Sequence, residues 1–269
     1  MKLCMHSKEI PMSKIILFFL ILYFSIFYAC FASEAETLRF ATIDYCPFTC
    51  DPLTENGKEG FMTDVVRMAF EPAGYNIEID MLPYARALSV VQGGKYDGII
   101  VVGKNSAPTL IYPEIPTVVQ KVAFFTRESE SWTYSGQESL SKVRIGIIKG
   151  YDYSGDNELS TYISQNNDTG LMDILHGQNT TERGIKMLLN KRIDAYVEGE
   201  YAVLYYLSKM QIRDQIKIAD YTSELFEDYT GFSSHHPLSF HLAEILTNKI
   251  AELNQSGELD RIVGRYVNH

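Results

Sequence analysis

The chain has 269 residues, of which 46% are apolar, and its formal net charge at pH 7 is −10. This length and this apolar share are enough for one two-lobed molecule or two small domains, and they exclude a disordered chain. An acidic surface without a basic cluster repels nucleic acid and anionic lipid, so we expect neither as a partner.

The first residues predict an export signal. Three lysines precede an uninterrupted apolar run at residues 15–31, and the small residue Ala32 follows it. This pattern is typical of a cleaved signal peptide, here residues 1–32, with Met12 as an alternative start, and it predicts a periplasmic protein. An uncleaved anchor is the alternative, because a run of 17 residues is at the short end of what spans a bilayer. Lipidation of Cys30 is disfavoured by the bulky residues before it.

Two of the four cysteines, Cys46 and Cys50, lie beyond the predicted leader. Pairing is the default for two such cysteines in an oxidising compartment, so we predict a disulfide that closes a short loop after the first strand. A metal site is the alternative, but no histidine or further cysteine lies nearby. We expect neither a metal nor a cofactor.

Strand and helix patterns alternate in the first half of the mature chain. Apolar runs and apolar alternation predict strands at residues 38–42, 75–81 and 96–102. A helix is predicted to begin after Gly60 with Thr63 as its cap, and another to run from Tyr84 to the stop at Gly93 and Gly94. This order predicts a parallel sheet with helices on its faces.

The second half repeats this alternation after a proline-rich segment and a strand at residues 121–126. Further strands are predicted at residues 143–148, 171–175, 193–197 and 216–219, with helices at residues 159–164, after Thr180 or Thr181, and at residues 201–210. Residues 229–233 are predicted to return the chain to the first half. Two C-terminal helices are expected to pack there.

Matching positions in the two halves predict two similar α/β lobes. Arg86 and Arg183 are 97 positions apart, as are Asp97 and Asp194, and a small ligand would lie between such lobes. We assign residues 33–122 to the first part of lobe 1, 123–229 to lobe 2 and 230–269 to the return to lobe 1. The chain is expected to cross between the lobes twice, so that two strands form a hinge. Such a hinge permits the lobes to close over a ligand. The two aspartates are expected to organise turns rather than to catalyse.

Six motifs occur along the mature chain in a defined order. They are Tyr45-Cys46-Pro47-Phe48, Gly60-Phe61-x-x-Asp64, Gly94-Lys95-Tyr96-Asp97, Gly146-Ile147-Ile148-Lys149-Gly150, Arg192-Ile193-Asp194-Ala195 and the ending at residues 256–266. Together they resemble family 3 of the bacterial solute-binding proteins over nearly the whole mature chain. The resemblance implies a two-lobed periplasmic-binding-protein fold of the α/β class, with a parallel or mixed sheet in each lobe. It also implies a monomer that delivers amino acids or similar solutes to an ABC-transporter permease.

The resemblance also implies which residues bind the ligand. Tyr45 would stack on the ligand, with Phe48 following in the same loop, and Tyr84 would lie against the ligand's variable group. The loop after Gly150 would hold a carboxylate through backbone N–H groups at a helix start. Tyr151, in that loop, flanks the predicted cleft.

The sequence departs from the family's amino-acid site at two positions. The Thr-x-x-Arg motif that grips the α-carboxylate is absent, because residues 104–110 contain no arginine. The acid that holds the α-ammonium falls at Gly199, directly after Glu198. We expect Arg86 or Lys104 to replace the missing cation, and Glu198 the missing anion.

A catalytic constellation is not evident in the sequence. No Gly-x-Ser-x-Gly motif occurs, and the adjacent His235 and His236 would point to opposite sides of a strand. We therefore expect a non-enzymatic protein that binds a small polar solute by ring stacking, one charge pair and exclusion of water. Two other classes remain open: a receptor that signals through a membrane sensor kinase, and a cyclic-acid dehydratase in which Glu198 and a nearby histidine serve as acid and base.

Overall fold

A computed structural model describes residues 35–149, 151, 153, 156–166, 170–177 and 179–267, with the backbone alone for Asn157 and Glu224. The predicted leader at residues 1–32, with Cys30, lies outside these residues, as does Gly150 of the predicted carboxylate loop. Among the helices of the described part, none combines the length and apolar character needed to cross a membrane.

The described residues form one mixed sheet of eight strands. The strands are β1 (Thr37–Thr42), β2 (Asn76–Met81), β3 (Gly98–Val102), β4 (Val118–Arg127), β5 (Ile145–Ile148), β6 (Met172–Leu175), β7 (Ala195–Gly199) and β8 (Ile216–Phe232). They lie side by side in the order β2-β1-β3-β8-β4-β7-β5-β6. β1 is parallel to β2 and β3, and β5 is parallel to β6 and β7, so each half has the parallel core that the alternation predicts.

Helices cover both faces of this sheet. They are α1 (Phe61–Phe70), α2 (Tyr84–Gln92), α3 (Gln137–Leu140), α4 (Asn157–Asn166), α5 (Thr180–Leu189), α6 (Glu200–Lys209), α7 (Ser239–Ser256) and α8 (Glu258–Val267), with a 3-10 turn at Lys104–Ser106. In α8 the buried side chains Leu259, Ile262, Val263 and Tyr266 recur at helical spacing. They share a core with Phe40 of β1, so the C-terminal helices pack on lobe 1 as predicted.

β8 connects the two halves of the sheet. The sequence predicts a strand at residues 216–219 and a separate return segment at residues 229–233, but the structure has one strand of 17 residues. Its first part pairs antiparallel with β4, and its last four residues pair antiparallel with β3. β4 and β8 are therefore the two strands of the hinge, and the two-lobed fold is confirmed. The lobe boundaries at 122/123 and 229/230 lie inside these strands and remain a prediction.

Aromatic rings fill the centre of lobe 1. Phe40, Phe70 and Phe232 are fully buried, and their ring centroids lie 5.9 to 6.1 Å apart. Tilted and edge-on contacts of this kind suit the quadrupoles of aromatic rings. Because the three rings come from β1, α1 and β8, their packing fixes the position of β1, from which the predicted ligand loop emerges.

Asp97 and Asp194 have equivalent roles in the two lobes. Asp97 accepts a hydrogen bond from the backbone N–H of Arg39 at 2.7 Å, and Asp194 accepts one from that of Arg144 at 3.1 Å. Each bond ties a lobe's first strand to the strand that lies parallel beside it. The Nε2 atom of His236 lies 3.8 Å from Asp97. Both carboxylates therefore hold backbone in place, whereas their expected part in turns and the expectation that neither catalyses stay predictions.

α1 begins earlier than predicted. The sequence predicts Thr63 as the cap, but the helix starts at Phe61, preceded by Gly60 with a φ of 95°. Thr63 is buried in the first turn, and its Oγ1 atom has no hydrogen-bond partner among the described residues. A Cβ atom at Gly60 would come within 2.4 Å of the carbonyl oxygen of Phe48. Glycine therefore allows α1 to approach the loop that carries Tyr45.

Candidate functional site

The loop after β1 presents Tyr45. Its backbone N–H donates to the carbonyl of Thr49 at 2.8 Å, and a disulfide joins Cys46 and Cys50, whose Cα atoms are 4.9 Å apart. The rings of Tyr45 and Phe48 stack with their centroids 4.7 Å apart and their planes 5° from parallel. This crosslinked turn holds the Tyr45 ring in a defined orientation.

Phe48 attaches the loop to the core. Its side chain is fully buried, and its ring centroid lies 4.9 Å from that of Phe61 and 6.4 Å from that of Tyr201. These ring contacts hold the Tyr45 loop in place against the core. Contact of Phe48 with a ligand stays a prediction.

Helix α6 of lobe 2 packs against the disulfide loop of lobe 1. Cys46 and Cys50 share a buried cluster with Tyr205. The Tyr205 hydroxyl and the Lys209 ammonium, both on α6, donate to the carboxylate of Glu55 in lobe 1. Because α6 follows β7 directly, these contacts bring the Tyr45 loop close to the end of β7.

Glu198 lies near the end of β7 and has no exposed surface. Its carboxylate accepts hydrogen bonds from the backbone N–H of Gly199 at 2.8 Å, from the Tyr196 hydroxyl at 3.1 Å and from the Thr181 hydroxyl at 3.2 Å. Burial raises the pKa of Glu198 to about 7, although these bonds and one from Tyr45 oppose the rise. A nearby cation would favour the ionised carboxylate.

The hydroxyl of Tyr45 is the centre of a polar group to which both lobes contribute. It interacts with the side chains of Tyr151 and Gln120, and it bonds to Glu198. The pKa of Tyr45 is raised well above its usual value by burial and by the negative charges of Glu198 and Asp228. Tyr45 and Glu198, the predicted stacking ring and the predicted anion, are therefore neighbours.

Gln120 of β4 and Asp228 of β8 complete this group on the hinge strands. The Gln120 amide donates to the Asp228 carboxylate at 3.0 Å. Burial raises the pKa of Asp228 to about 6, with the Gln120 bond opposing the rise. Gln120 is 2% exposed, and its Oε1 atom has no partner among the described residues. Among the described residues, no lysine or arginine forms an ion pair with Asp228 or with Glu198.

Sequence reasoning did not find Gln120 or Asp228. The available signal was weak, because it consisted of single polar residues within strands that otherwise read as a connection between lobes. Their meeting depends on the register of β4 against β8, in which Val118 is opposite Asp228 and Gln120 is opposite Phe226. No local pattern in either strand specifies that register.

Tyr151 borders the group on the side of lobe 2. Its ring centroid lies 6.0 Å from that of Phe226 and 6.3 Å from that of Tyr153. The Tyr153 hydroxyl accepts a hydrogen bond from the backbone N–H of Ile148 at 3.0 Å, which ties this loop to β5. The carboxylate-binding backbone implied after Gly150 falls outside the described residues, so that expectation stays a prediction.

The three remaining predicted residues lie on lobe 1. Lys104 is exposed, and its ammonium lies 4.1 Å from the ring centroid of Tyr229. Tyr84, which is 39% exposed, begins α2, and Arg86 is exposed in the same first turn. No described contact joins these three side chains to Glu198. Their part in ligand binding stays a prediction.

Comparison with known proteins places this architecture among solute-binding folds. Neither a protein-family model nor a curated protein matches the sequence. A substrate-binding protein of an amino-acid ABC transporter from Streptococcus pneumoniae, bound to L-arginine, is 20% identical; the match covers 86% of this chain and 94% of that one, with a TM-score of 0.65. A histidine kinase sensor domain similar to periplasmic binding proteins is 15% identical, with coverages of 87% and 97% and a TM-score of 0.65. An ancestral amino-acid-binding protein, a precursor of cyclohexadienyl dehydratase, is 15% identical, with coverages of 86% and 95% and a TM-score of 0.63.

These likenesses show the fold. The chain has the two-lobed α/β fold of the periplasmic binding proteins, as its motifs predict. Amino-acid substrate-binding proteins of ABC transporters are among the proteins with this fold, in agreement with the resemblance to family 3.

Proposed function

We propose that the protein binds a small solute with a cationic nitrogen, an amino acid or a related amine, between its two lobes. The observation that supports this is Glu198, a fully buried carboxylate beside the Tyr45 hydroxyl without an ion-pair partner in the described part of the chain. A protonated amine supplies positive charge and up to three N–H donors. It would hold Glu198 in its ionised form, while the Tyr45 ring packs against the rest of the solute.

In the same proposal, the protein is a periplasmic monomer that delivers the solute to an ABC-transporter permease after cleavage of residues 1–32. Similar structures that are amino-acid ABC-transporter proteins support this reading. Signalling through a membrane sensor kinase is the second candidate, because one similar structure is a histidine kinase sensor domain. Closure of the lobes about β4 and β8 would serve either role.

We further propose that the solute is bound without conversion. A carboxylate with a pKa near neutrality suits acid-base catalysis, and one similar structure is a dehydratase precursor. However, the described donors to Glu198 are hydroxyl groups and a backbone N–H, and none is a histidine. These donors suit a binding anion better than an acid-base pair.

A panel of defined solutes tests this function. L-arginine, L-glutamine and 1,4-diaminobutane carry cationic nitrogens, whereas succinate does not. We expect at least one amine to raise the melting temperature of the exported protein, and succinate to leave it unchanged, because a ligand that binds only the folded state stabilises it. Mass spectrometry should recover the amine unchanged. Stabilisation by succinate alone would contradict the cationic assignment, and conversion that disappears in Glu198→Gln would establish an enzyme.

A solute with a carboxylate also needs a cation, for which Arg86 is the first prediction. Arg86→Ala is expected to weaken binding of the tightest amino acid of the panel about tenfold, the lower end for a charge-assisted hydrogen bond, because Arg86 is exposed. Binding of 1,4-diaminobutane, which has no carboxylate, should not change. Calorimetric titration measures both affinities.

Arg183→Ala is the matched control for this substitution. Arg183 is the equivalent residue of lobe 2, and it donates to the carbonyl of His176 at 2.7 Å. We expect it to change stability but not affinity. Unchanged amino-acid binding in a folded Arg86→Ala protein would move the role to Lys104.

A further inference from the structure

Asp228 lies where β8 passes from one lobe to the other. It is opposite Val118 of β4, whereas the next residue, Tyr229, is opposite Val102 of β3. The backbone carbonyl of Asp228 accepts a hydrogen bond from the N–H of Thr117 at 2.9 Å. The backbone that carries this carboxylate is therefore held at the hinge by neighbouring strands on both sides.

The Asp228 carboxylate has more acceptor capacity than its described donors use. An ionised carboxylate offers about four lone-pair positions, whereas Gln120 is the one described side chain that donates to it. Asp228 is partly exposed, in contrast to the fully buried Glu198. An incoming solute can therefore reach Asp228 and donate to it.

Gln120 links Asp228 to Glu198. Its Nε2 atom donates to Asp228, and its Oε1 atom lies so close to Gly199 that a Cβ atom there would approach within 2.3 Å. Gly199 donates its backbone N–H to the Glu198 carboxylate, so the amide that bonds Asp228 also lies near Glu198. The buried Oε1 atom has no described donor, and a ligand N–H between the carboxylates would supply one.

The charges of Glu198 and Asp228 both act on the Tyr45 hydroxyl. Both charges raise the pKa of Tyr45, after burial, and burial raises the pKa of each carboxylate in turn. A single cation at Glu198 would leave the Asp228 charge with the Gln120 amide as its one described side-chain donor and with no cation. Two cationic nitrogens would compensate both charges.

We propose that Asp228 and Gln120 form a second subsite, next to Glu198, for the second cationic nitrogen of a dicationic solute. The inference rests on the proposed function, because Glu198 provides the first subsite. The chemistry required is two protonated nitrogens separated by a short apolar chain. An aliphatic diamine and a basic amino acid both provide it.

Matched pairs of amines test the second subsite in the wild-type protein. Calorimetry would compare 1,4-diaminobutane with n-butylamine, and L-lysine with L-norleucine, because each pair differs by one cationic nitrogen. We expect the dication to bind at least about tenfold more tightly in one pair or both, as a charge-assisted hydrogen bond requires. The first pair tests the diamine, and the second tests the basic amino acid.

Asp228→Asn assigns the preference to this carboxylate. The amide keeps the shape and can still accept from Gln120, so we expect an intact fold by circular dichroism. The dication preference should fall below about threefold, while n-butylamine and L-norleucine bind as before. Glu227→Gln is the control, since Glu227 is the exposed neighbour and accepts from the Tyr229 hydroxyl at 2.9 Å. It should keep the preference.

The outcomes separate this inference from the proposed function. Equal binding of dications and monocations by the wild-type protein would overturn the second subsite even if Asp228→Asn did not fold, and so would a preference that survives in Asp228→Asn. If the monocations bind and depend on Glu198, the proposed function stands without the second subsite. If no amine binds the wild-type protein, both are wrong.

Discussion

Glu198→Gln is expected to weaken binding of the tightest amine of the panel by about a hundredfold. The substitution keeps the size of the side chain and removes its charge, and charge-assisted hydrogen bonds contribute on the order of 1.5–3 kcal/mol. We expect the upper end because Glu198 is fully buried and its field is little screened by solvent. Titration calorimetry at pH 8, where the wild-type carboxylate is ionised, measures the effect.

The pH dependence of Glu198 provides a second readout. Because the pKa of Glu198 is about 7, the wild-type affinity for an amine should fall as the pH is lowered from 8 to 6, whereas that of Glu198→Gln should change less. The stability of the ligand-free protein changes with pH in the opposite direction. The folded pKa lies above the ordinary value of 4.5, so the unfolded chain loses its proton first, and the free energy of unfolding declines between about pH 4.5 and 7. Glu198→Gln should remove that part of the decline, on the order of 3 kcal/mol.

Glu200→Gln is the matched control for charge. Glu200 is two residues away and accepts a hydrogen bond from the Tyr221 hydroxyl at 3.1 Å. We expect amine affinity at pH 8 to change less than threefold in this variant. Equal losses in the two variants would mean that net charge, and not the buried carboxylate, determines binding.

Gly60→Ala is expected to lower the free energy of unfolding by about 3 kcal/mol or more. Gly60 has a φ of 95°, and a Cβ atom there would lie 2.4 Å from the Phe48 carbonyl oxygen and 2.5 Å from the Cα atom of Thr49. Backbone strain and overpacking each cost about 1–3 kcal/mol, and these obstructing atoms are backbone that cannot rotate away. Urea unfolding of the ligand-free protein measures the loss.

Gly57→Ala separates strain from crowding. Gly57 also has a positive φ, of 82°, but a Cβ atom there would meet nothing within 4 Å. Gly57→Ala should lower the free energy of unfolding by about 1 kcal/mol, the general cost of placing alanine at a positive φ. Similar losses at the two positions would show that the contact between α1 and the Tyr45 loop is not tightly packed.

Hydrophobic periodicity predicted most elements of the fold because β3, β5 and β7 are completely buried. β3 is apolar throughout, and the buried face of α8 recurs at helical spacing. The paired positions of Asp97 and Asp194 predicted the internal repeat, since each carboxylate makes the same backbone contact in its lobe. The meeting of Tyr45 with Glu198 followed from the resemblance and not from any local pattern.

Long-range pairing determined what the sequence could not predict. β8 was divided in the prediction because its middle is polar, yet those residues pair with β4 and continue the strand. Thr63 has the residue type of a helix cap, but the glycine at position 60 lets the chain enter the helix earlier. The register of the hinge strands, which no local pattern specifies, brings Asp228 beside Gln120.

The continuity of β8 sets the order in which a solute would be engaged. A ribbon of two hydrogen-bonded strands resists sliding, but it bends readily perpendicular to its plane, so the lobes should move along one bending coordinate. Asp228 lies where β8 passes from its pairing with β4 to its pairing with β3, so it should move least in such bending, whereas the Tyr45 loop and the end of β7 belong to opposite lobes. A dicationic solute would therefore contact Asp228 while the lobes are still apart, and Tyr45 and Glu198 would come together around it only as the ribbon bends.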